Sequence, residues 1–289
     1  MNCSICPRHC NVDRSKSLGY CRSNNSFKIA RAALHYWEEP CLSGQNGSGA
    51  VFFSGCNLRC AYCQNYEISH ELKGVEITEA KLIEIFENLI EQGANNINLV
   101  NPTHYSHHLA NVLYKWKCPI PVLYNSSGYE EVESLKELDG LIDIYLPDLK
   151  YIRPDKAKRY SSAENYFEKA SLALKEMRRQ VRDSFDNNGI MQSGLIVRHL
   201  VLPQNTNSSI EIIDWISDNL TDTYISLMAQ YVPCNDLTHL PEINRKITER
   251  EYNKVVSYAE NKGIEKIFIQ ELSSADEKFI PKFDFHCEL

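Results

Sequence analysis

From residue 50 onward, short apolar runs alternate with amphipathic helical stretches, and this alternation restricts the fold more than any other feature. The apolar runs are mostly continuous, as expected for parallel strands that are covered on both faces. Repeated strand–helix alternation implies βαβ units and therefore a parallel sheet or barrel. We predict strands at Val51–Ser54, Ile97–Val100, Pro121–Tyr124, Leu141–Leu146, Leu195–Leu202 and Tyr224–Met228, with a weaker seventh candidate at Lys266–Gln270.

Amphipathic stretches between these strands predict the helices that cover the sheet. They are Thr78–Gln92, Tyr105–Trp116, Glu130–Leu138, Ala163–Phe185, Ile210–Asn219 and Thr248–Asn261. A closed barrel of eight βα units needs ~250 residues. About 240 residues follow residue 48 here, the connection Arg153–Gly189 is long, and we count six units. The predicted fold class is therefore α/β, with a (βα)6 partial TIM-type barrel over residues 49–289.

Residues 1–48 lack clear periodicity and are rich in Cys, Asn, Ser and Gly. We predict a loop-dominated, Cys-rich, metal-binding extension in front of the barrel. The chain has eleven cysteines, and eight of them fall in the first 63 residues. Clusters of this kind in a reducing compartment more often bind metal or Fe–S centres than pair as disulfides. The three later cysteines, Cys118, Cys234 and Cys287, are expected to be ordinary small residues.

Composition argues against several classes of protein. No apolar run approaches the ~18 residues of a membrane span, and the N-terminus lacks the apolar stretch of a signal peptide. We therefore expect a cytoplasmic protein. The net charge is −7, and no run is rich in Lys or Arg. Binding to a long nucleic acid is therefore disfavoured.

The segment Gly55–Asn65, directly after the first predicted strand, carries Cys56, Cys60 and Cys63 in a Cx3Cx2C spacing. Three thiolates on one loop can bind three irons of a [4Fe–4S] cluster, which normally takes four cysteines. The fourth iron is then open to a ligand such as the amino and carboxylate groups of S-adenosylmethionine. A zinc site would need a fourth Cys or His nearby, and the next histidine, His70, lies seven residues after the last cysteine.

Further segments accompany this loop in the expected order, and with them the chain resembles the radical S-adenosylmethionine superfamily. Within that superfamily it is most similar to the pyruvate formate-lyase activating enzyme-like proteins. The resemblance covers almost the whole chain and implies a (βα)6 partial barrel. It also implies an oxidoreductase that uses a [4Fe–4S] cluster and S-adenosylmethionine (SAM) to make a 5′-deoxyadenosyl radical for hydrogen abstraction. The segments are Glu38–Gly44, Phe52–Cys56, Tyr62–Asn65, Asn125–Tyr129, Asp143–Lys150 and Val197–His199.

The resemblance implies that residues at the strand ends hold SAM. Tyr62 and Asn65 flank the last cysteine of the loop, and the Tyr62 ring suits stacking on adenine. The Gly-Gly-Glu motif that normally meets the methionine amino group after the second strand is absent. Thr103 and His104 stand in its place and are the predicted replacements.

The next two strands of activating enzymes end in an Asp-Thr-Asn-Gly segment and an Asp-Leu-Lys segment, which hold a monovalent cation and the carboxylate region of SAM. This chain has Asn-Ser-Ser-Gly starting at Asn125 and keeps Asp-Leu-Lys starting at Asp148. We therefore expect Asn125, Ser126, Asp148 and Lys150 to bind SAM. The Asn in place of Asp removes one negative charge, which puts the cation in doubt.

Two further contacts are predicted on the later strands. Arg198 and His199 are neighbours in one strand, so their side chains point to opposite faces and only one of them enters the barrel. We assign Arg198 to the interior, where it would hold a carboxylate or the ribose. Tyr231, at the end of the sixth strand, is assigned to the cofactor.

Four cysteines at the start of the chain, Cys3, Cys6, Cys10 and Cys21, lie within nineteen residues. Four thiolates on a short loop suffice for a tetrahedral zinc ion or for a second Fe–S cluster. The spacing matches neither a standard zinc finger nor the cysteine pattern of a ferredoxin, so it does not identify the metal. We prefer a cluster slightly, because a radical enzyme can use a second redox centre.

Three functions compete. The first is hydrogen abstraction from a protein glycine, which would activate a glycyl-radical enzyme. The second is the same radical chemistry on a peptide or small metabolite. The third is a non-catalytic Fe–S or zinc binding protein, which would need neither a barrel nor an adenine-stacking aromatic ring. The resemblance implies an electron donor of the flavodoxin or ferredoxin type. The sequence does not distinguish the first two functions, because the loops that bind the substrate cannot be assigned from sequence patterns.

Overall fold

The computed structural model describes residues 3–220, 222–275 and 283, and Cys287 lies outside them. The strands are β1 (Phe27–His35), β2 (Ser48–Phe53), β3 (Val75–Ile77), β4 (Ile97–Val100), β5 (Val122–Ser126), β6 (Ile144–Pro147), β7 (Ser184–Phe185), β8 (Met191–Leu200), β9 (Tyr224–Met228) and β10 (Ile267–Ile269). The α-helices are α1 (Pro40–Ser43), α2 (Tyr66–Ser69), α3 (Glu79–Glu91), α4 (Ser106–Trp116), α5 (Val132–Lys136), α6 (Pro154–Ser161), α7 (Tyr166–Gln180), α8 (Thr206–Asn219) and α9 (Glu249–Asn261). Short 3₁₀ turns span Thr103–Tyr105 and Leu272–Ser274.

Seven parallel strands form one continuous sheet in the order β10-β9-β8-β6-β5-β4-β2. β1 pairs antiparallel with β2, and β3 pairs antiparallel with β1, so the described sheet runs from β10 to β3 without closing. Each predicted strand overlaps one of the parallel strands, and those at Ile97–Val100 and Tyr224–Met228 match residue for residue. Six βα units lead into a seventh strand, which confirms the partial barrel.

Burial on both faces of the sheet explains the continuous apolar runs of its strands. All six residues of β2 are buried, and α3 packs Leu82 and Phe86 against the sheet. Two helices begin at side-chain caps: Thr78 caps α3, and Thr248 and Glu251 form a capping box at the start of α9. No described helix is long and apolar enough to cross a membrane.

Besides several short elements that were not predicted (α1, α2, α6, β3 and β7), two segments for which a structure was predicted differ from that expectation. The extension, predicted to be loop-dominated, contains the nine-residue strand β1. Pairing with β2 and β3 forms this strand, in which Phe27 and Ile29 are buried, so cross-strand contacts rather than sequence periodicity define it. The predicted helix Ala163–Phe185 ends at Gln180, because Ser184–Phe185 pairs antiparallel with β8.

Two arginines fix the N-terminal segment to the barrel. Nε of Arg8 donates to the Asn57 carbonyl at 2.8 Å, and Nη2 donates to the Ser161 carbonyl at 3.0 Å. Nη1 of the buried Arg14 donates to the His104 carbonyl at 2.6 Å. Charged donors to carbonyl groups make strong hydrogen bonds when they are shielded from water. The start of the chain is thereby linked to three separate parts of the barrel.

Candidate functional site

The carboxyl ends of the parallel strands surround a cavity of about 410 Å³. Ligands of α/β folds bind at this edge, and the volume is that of a small-molecule site. The segment after β1 contributes Trp37 and Glu38 to one wall. The remaining wall consists of residues on or after the strand ends, among them Cys60, Tyr62, Cys63, Gln64, Asn65, Asn125, Asp148, Lys150, Arg198 and Gln230.

A tight backbone turn carries the chain from β2 into the loop of the Cx3Cx2C motif. Gly55 lies in this turn with a φ of 95°. A Cβ at this position would lie 2.9 Å from the carbonyl oxygen of Cys21 and 3.1 Å from Nε2 of His104. Glycine therefore allows both the turn and the close packing of the N-terminal segment against the loop.

The loop cysteines (Cys56, Cys60 and Cys63) have hydrogen-bond donors at their sulfur atoms. Sγ of Cys56 accepts from two loop amides at 3.3 and 3.4 Å and from Nδ2 of Asn101 at 3.8 Å. Sγ of Cys63 accepts from the Ser69 hydroxyl at 3.3 Å. Such donors stabilise thiolate charge. Sequence analysis did not identify Asn101 and Ser69, because their contacts depend on the packing of β4 and α2 around the loop.

The loop cysteines fit an Fe–S cluster. Burial raises the pKa of Cys63 to about 12 and also raises the pKa of Cys56. Buried thiolates therefore need a positive partner, which iron provides. Within the described residues, no three Cys, His, Asp or Glu side chains are grouped around one metal ion. A [4Fe–4S] cluster does not need such a group, because each thiolate binds a different iron.

Tyr62 lies on the cavity wall with Asn65 close by in the chain. Its hydroxyl is 2.7 Å from that of Tyr151, and its ring centre is 5.8 Å from that of Tyr231. Tyr231 points away from the cavity and donates to the Ile243 carbonyl at 2.7 Å. The structure thus corrects the prediction that Tyr231 contacts the cofactor: this ring packs behind Tyr62, and the preceding glutamine lines the wall.

Asp148, Lys150 and Arg198 form a buried ionic network at the cavity. Nζ of Lys150 is 2.6 Å from Oδ2 of Asp148, and Nε of Arg198 is 3.1 Å from Oδ1. Burial alone would raise the pKa of Asp148, but the two cations lower it below its ordinary value. Arg198 enters the barrel, as the strand alternation predicts, whereas His199 points outward with Nε2 2.9 Å from the Ser209 hydroxyl on α8.

β5 ends in the Asn-Ser-Ser-Gly turn, which packs against the end of β6. Asn125 lines the cavity and accepts a hydrogen bond from Arg198. The Ser126 hydroxyl accepts from the Gly128 amide at 3.2 Å. Gly128 has a φ of 73°, and its α-carbon lies against the Asp148 backbone, where a Cβ would clash. Ser126 therefore shapes the turn, and Asn125 is the member of the predicted pair that reaches the cavity.

Thr103 and His104 lie away from the cavity, in the packing between strand ends. The Thr103 hydroxyl is 2.5 Å from Oε1 of the buried Glu130. Nε2 of His104 donates to the Ser54 carbonyl at 2.8 Å, and burial lowers the pKa of His104 to about 3, so the ring is neutral. These contacts correct the prediction that the two residues replace the missing Gly-Gly-Glu motif.

Two acidic residues that sequence analysis did not assign to the site, Glu38 and Glu39, follow β1. Oε1 of Glu38 accepts from Nδ2 of Asn98 at 3.0 Å and of Asn125 at 3.3 Å. Its Oε2 accepts from Nη1 of Arg198 at 3.3 Å. Glu38 therefore connects β4, β5 and β8 inside the barrel, with Glu39 buried next to it. Both residues begin the segment Glu38–Gly44, one of those that carry the resemblance, but no site role was assigned to them because their contacts come from distant strands.

The N-terminal cysteines (Cys3, Cys6, Cys10 and Cys21) lie in a segment that folds back on itself, with the Cys3 amide donating to the Val12 carbonyl. Cys6 and Cys21 are buried, and Sγ of Cys10 accepts from a backbone amide at 3.2 Å. Burial raises the pKa of Cys6 to about 12, and negative charge on Cys21 and Cys10 adds to this rise. These thiols are therefore electrostatic neighbours.

The chain is similar to several known proteins. A family model described as Radical SAM superfamily matches residues 50–216. The uncharacterized protein MJ0674 of Methanocaldococcus jannaschii is 30% identical over 277 residues, which cover 92% of this chain and 77% of that protein. Two solved structures share the fold with a TM-score of 0.53 and 13% identity over 76% of this chain: methylornithine synthase (PylB) and Streptococcus suis SuiB bound to S-adenosylmethionine. The chain spans 63% of the first and 49% of the second.

Proposed function

Because the chain belongs to the radical SAM superfamily, we propose that it is an enzyme that cleaves SAM at a cluster on the loop cysteines and abstracts a hydrogen atom from an organic substrate. One observation carries the proposal. Cys60 and Cys63 lie on the wall of a cavity of about 410 Å³ that also contains the buried Asp148, Lys150 and Arg198 network. Thiols for a cluster and charged groups for an amino acid moiety thus line one cavity.

Side chains of this protein would divide the task of holding SAM. Lys150 and Arg198 offer positive charge to the methionine carboxylate, and Asp148 fixes the positions of both cations. Tyr62 offers a buried ring to the adenine. Asn65 offers a polar group at the same wall. When bound, the cluster supplies the electron that cleaves the sulfonium bond of SAM, and the protein provides orientation and a space that excludes water.

A second cavity beside the first supports a small substrate. It has a volume of about 340 Å³ and shares Glu38, Arg198 and Gln230 with the first cavity. This volume suits a metabolite or one side chain of a peptide. We therefore place radical modification of such a substrate before activation of a glycyl-radical enzyme, which is supported by the sequence resemblance alone.

We propose that the N-terminal cysteines hold a second metal centre, an Fe–S cluster or zinc; a zinc ion would require these thiols to converge, since no three of them are grouped around one point in the described structure. Their support is the four thiols of one folded segment and the burial of Cys6 and Cys21. The Cys21 carbonyl packs against Gly55, next to the first loop cysteine, so a centre in this segment would adjoin the first cluster. That position suits the transfer of electrons from a donor of the flavodoxin or ferredoxin type.

The proposed function is tested by SAM cleavage with anaerobically reconstituted protein and dithionite. We expect 5′-deoxyadenosine from the unmodified protein and none from Cys60→Ala, because this thiol faces the cavity. Cys118→Ala, outside the cysteine motifs, is the matched control and should retain cleavage. Product from Cys60→Ala at the unmodified rate would refute the proposal. Detection of a glycyl radical on a partner enzyme would select glycyl-radical activation instead.

A further inference from the structure

We infer that the second cavity binds the cationic end of the substrate, a primary ammonium or guanidinium group on an aliphatic stem, through Glu39 with Glu38. This inference deepens the proposed function, because it names the class of substrate. It rests on that function only for the reaction that follows binding, since the recognition of a cation is argued from the cavity itself.

The second cavity lies between the segment after β1 and strands β9 and β10. Its lining combines the polar Glu39 and Ser226 with the apolar Met228, Phe268 and Ile269. A ligand with a polar end and an aliphatic stem matches this mixed lining. Since the cavity adjoins the one assigned to SAM, the stem of such a ligand would lie near the SAM cavity.

Glu39 is 8% exposed and lines this cavity. Its Oε2 atom is buried and has no hydrogen-bond partner in the described structure. Burial raises the pKa of Glu39, and Glu38 adds to the rise, while Arg198 opposes it. A buried carboxylate oxygen without a donor costs free energy, and a donor on a ligand would remove this cost.

A second buried acceptor is also unpartnered, on Asn98, which contacts Glu38 but lines neither cavity. Nδ2 of Asn98 donates to Glu38 at 3.0 Å, whereas Oδ1 of Asn98 is buried and has no partner in the described structure. Both unpartnered atoms are therefore acceptors. A carboxylate or carbonyl ligand would add more acceptors, whereas ammonium and guanidinium groups carry donors only. The missing partner of Glu39 is therefore a group that carries hydrogen-bond donors.

The charged residues around the two cavities also favour a cationic ligand. Three carboxylates, those of Glu38, Glu39 and Asp148, face two cations, Lys150 and Arg198, around the joined cavities. Arg198 is engaged by Asp148 at 3.1 Å and by Glu38 at 3.3 Å. No ion pair reaches Glu39 from the described residues within 4.0 Å. A bound cation would oppose the effect of burial on the pKa of Glu39 and would pair with its carboxylate, because an unpaired buried charge is unfavourable.

Three probes of equal length test the charge preference directly: pentylammonium, 1-pentanol and pentanoate. Each is titrated by calorimetry into reconstituted full-length protein in choline chloride, in the absence of turnover. We expect pentylammonium to bind at least about tenfold more tightly than pentanol, since a desolvated charge pair outweighs an aliphatic contact. Equal binding of the two, or preference for pentanoate, would overturn the inference.

Glu39→Gln tests the residue, with the exposed Glu91→Gln as the matched control. Glu39→Gln should weaken pentylammonium binding about tenfold or more while the melting temperature stays equal or rises, because a buried charge is removed. A lower melting temperature with unchanged binding would show that Glu39 is structural. If the variant does not fold, the preference of the unmodified protein for pentylammonium over pentanol and pentanoate decides whether the inference holds.

A monovalent metal ion is the competing occupant of these acceptors. Replacement of choline chloride by potassium or sodium chloride at equal concentration should leave pentylammonium binding nearly unchanged. Abolition of binding by either salt would assign the acceptors to a metal ion and overturn the inference. Because no step measures turnover, failure to cleave SAM would refute the proposed function alone.

Discussion

The two groups of cysteines lie side by side but have different surroundings. Among the loop cysteines, Cys60 and Cys63 border a cavity of about 410 Å³. The N-terminal cysteines lie in a segment folded around its own backbone, with Cys6 and Cys21 buried, and they line neither of the two cavities described above. Both groups consist of cysteine thiols, and burial raises the pKa of Cys6 in one group and of Cys63 in the other.

This difference shows that access, rather than the number of thiols, separates the two sites. A metal centre that activates a small molecule needs an open position and space for that molecule. A loop of three cysteines, two of which border a cavity, meets this need. Four thiols within one short segment can complete the coordination of a centre, which then contributes stability or carries electrons. The following predictions test this distinction, beginning with the largest expected effect.

Replacement of all three loop cysteines by alanine should reduce SAM cleavage to the background of the assay. Replacement of the four N-terminal cysteines by serine should leave measurable dithionite-driven cleavage, because the cavity and the loop remain. Chromatographic detection of 5′-deoxyadenosine measures both variants. The opposite ranking of the two variants would reverse the assignment of the two sites.

The loop variant also provides a background for counting metal in the N-terminal site. It should retain about one zinc ion, or about four irons with sulfide, per chain. Elemental analysis together with a sulfide assay identifies which. If the variant retains neither metal, then the N-terminal cysteines do not form a site, and the comparison reduces to one metal centre and one thiol-rich packing segment.

Asp148→Asn should weaken SAM binding about tenfold, which corresponds to about 1.4 kcal/mol, while the iron content stays unchanged. The carboxylate positions Lys150 and Arg198, so its neutralisation disturbs the cavity and not the cluster ligands. Calorimetry with SAM measures the effect. Asp143→Asn, just before the start of the same strand, is the control and should retain full affinity. Equal affinity of both variants would make the ionic network purely structural.

Arg8→Ala should lower the free energy of unfolding by about 1–2 kcal/mol, because Arg8 joins the N-terminal segment to Asn57 and Ser161. Urea denaturation measures this change. Arg22→Ala, which removes one hydrogen bond to the His70 carbonyl at 3.0 Å, is the milder control. Equal effects of the two variants would mean that Arg8 does not hold the two cysteine groups together.

Three features of the structure were predictable from short stretches of sequence: the parallel strands, the position of the loop cysteines and the orientation of Arg198. The parallel strands were predictable because burial on both faces requires continuous apolar runs. The loop cysteines were predictable because their spacing lies within one loop. Arg198 was predictable because side chains alternate along a strand, and the structure places it at the cavity.

Features that depend on distant contacts were not predictable. β1 exists because it pairs with β2, and its own periodicity is weak. Glu38 enters the site because its carboxylate meets side chains that lie 60, 87 and 160 residues away in sequence. His104 has a side chain that often takes part in catalysis, yet its ring is buried and hydrogen-bonded to the Ser54 carbonyl, and burial lowers its pKa. Residue type alone does not show such an orientation.

The contacts of Arg8 have a consequence for synthesis on the ribosome. Arg8 precedes Ser161, whose carbonyl it binds, by 153 residues. At about 5–20 residues per second, roughly 8–30 s separate the synthesis of these two partners. During this interval the N-terminal cysteines have emerged, but their docking surface on the barrel is incomplete. If the N-terminal cysteines bind a metal centre, as proposed above, metal can reach their segment before it docks on the barrel, until α6 is translated and folds.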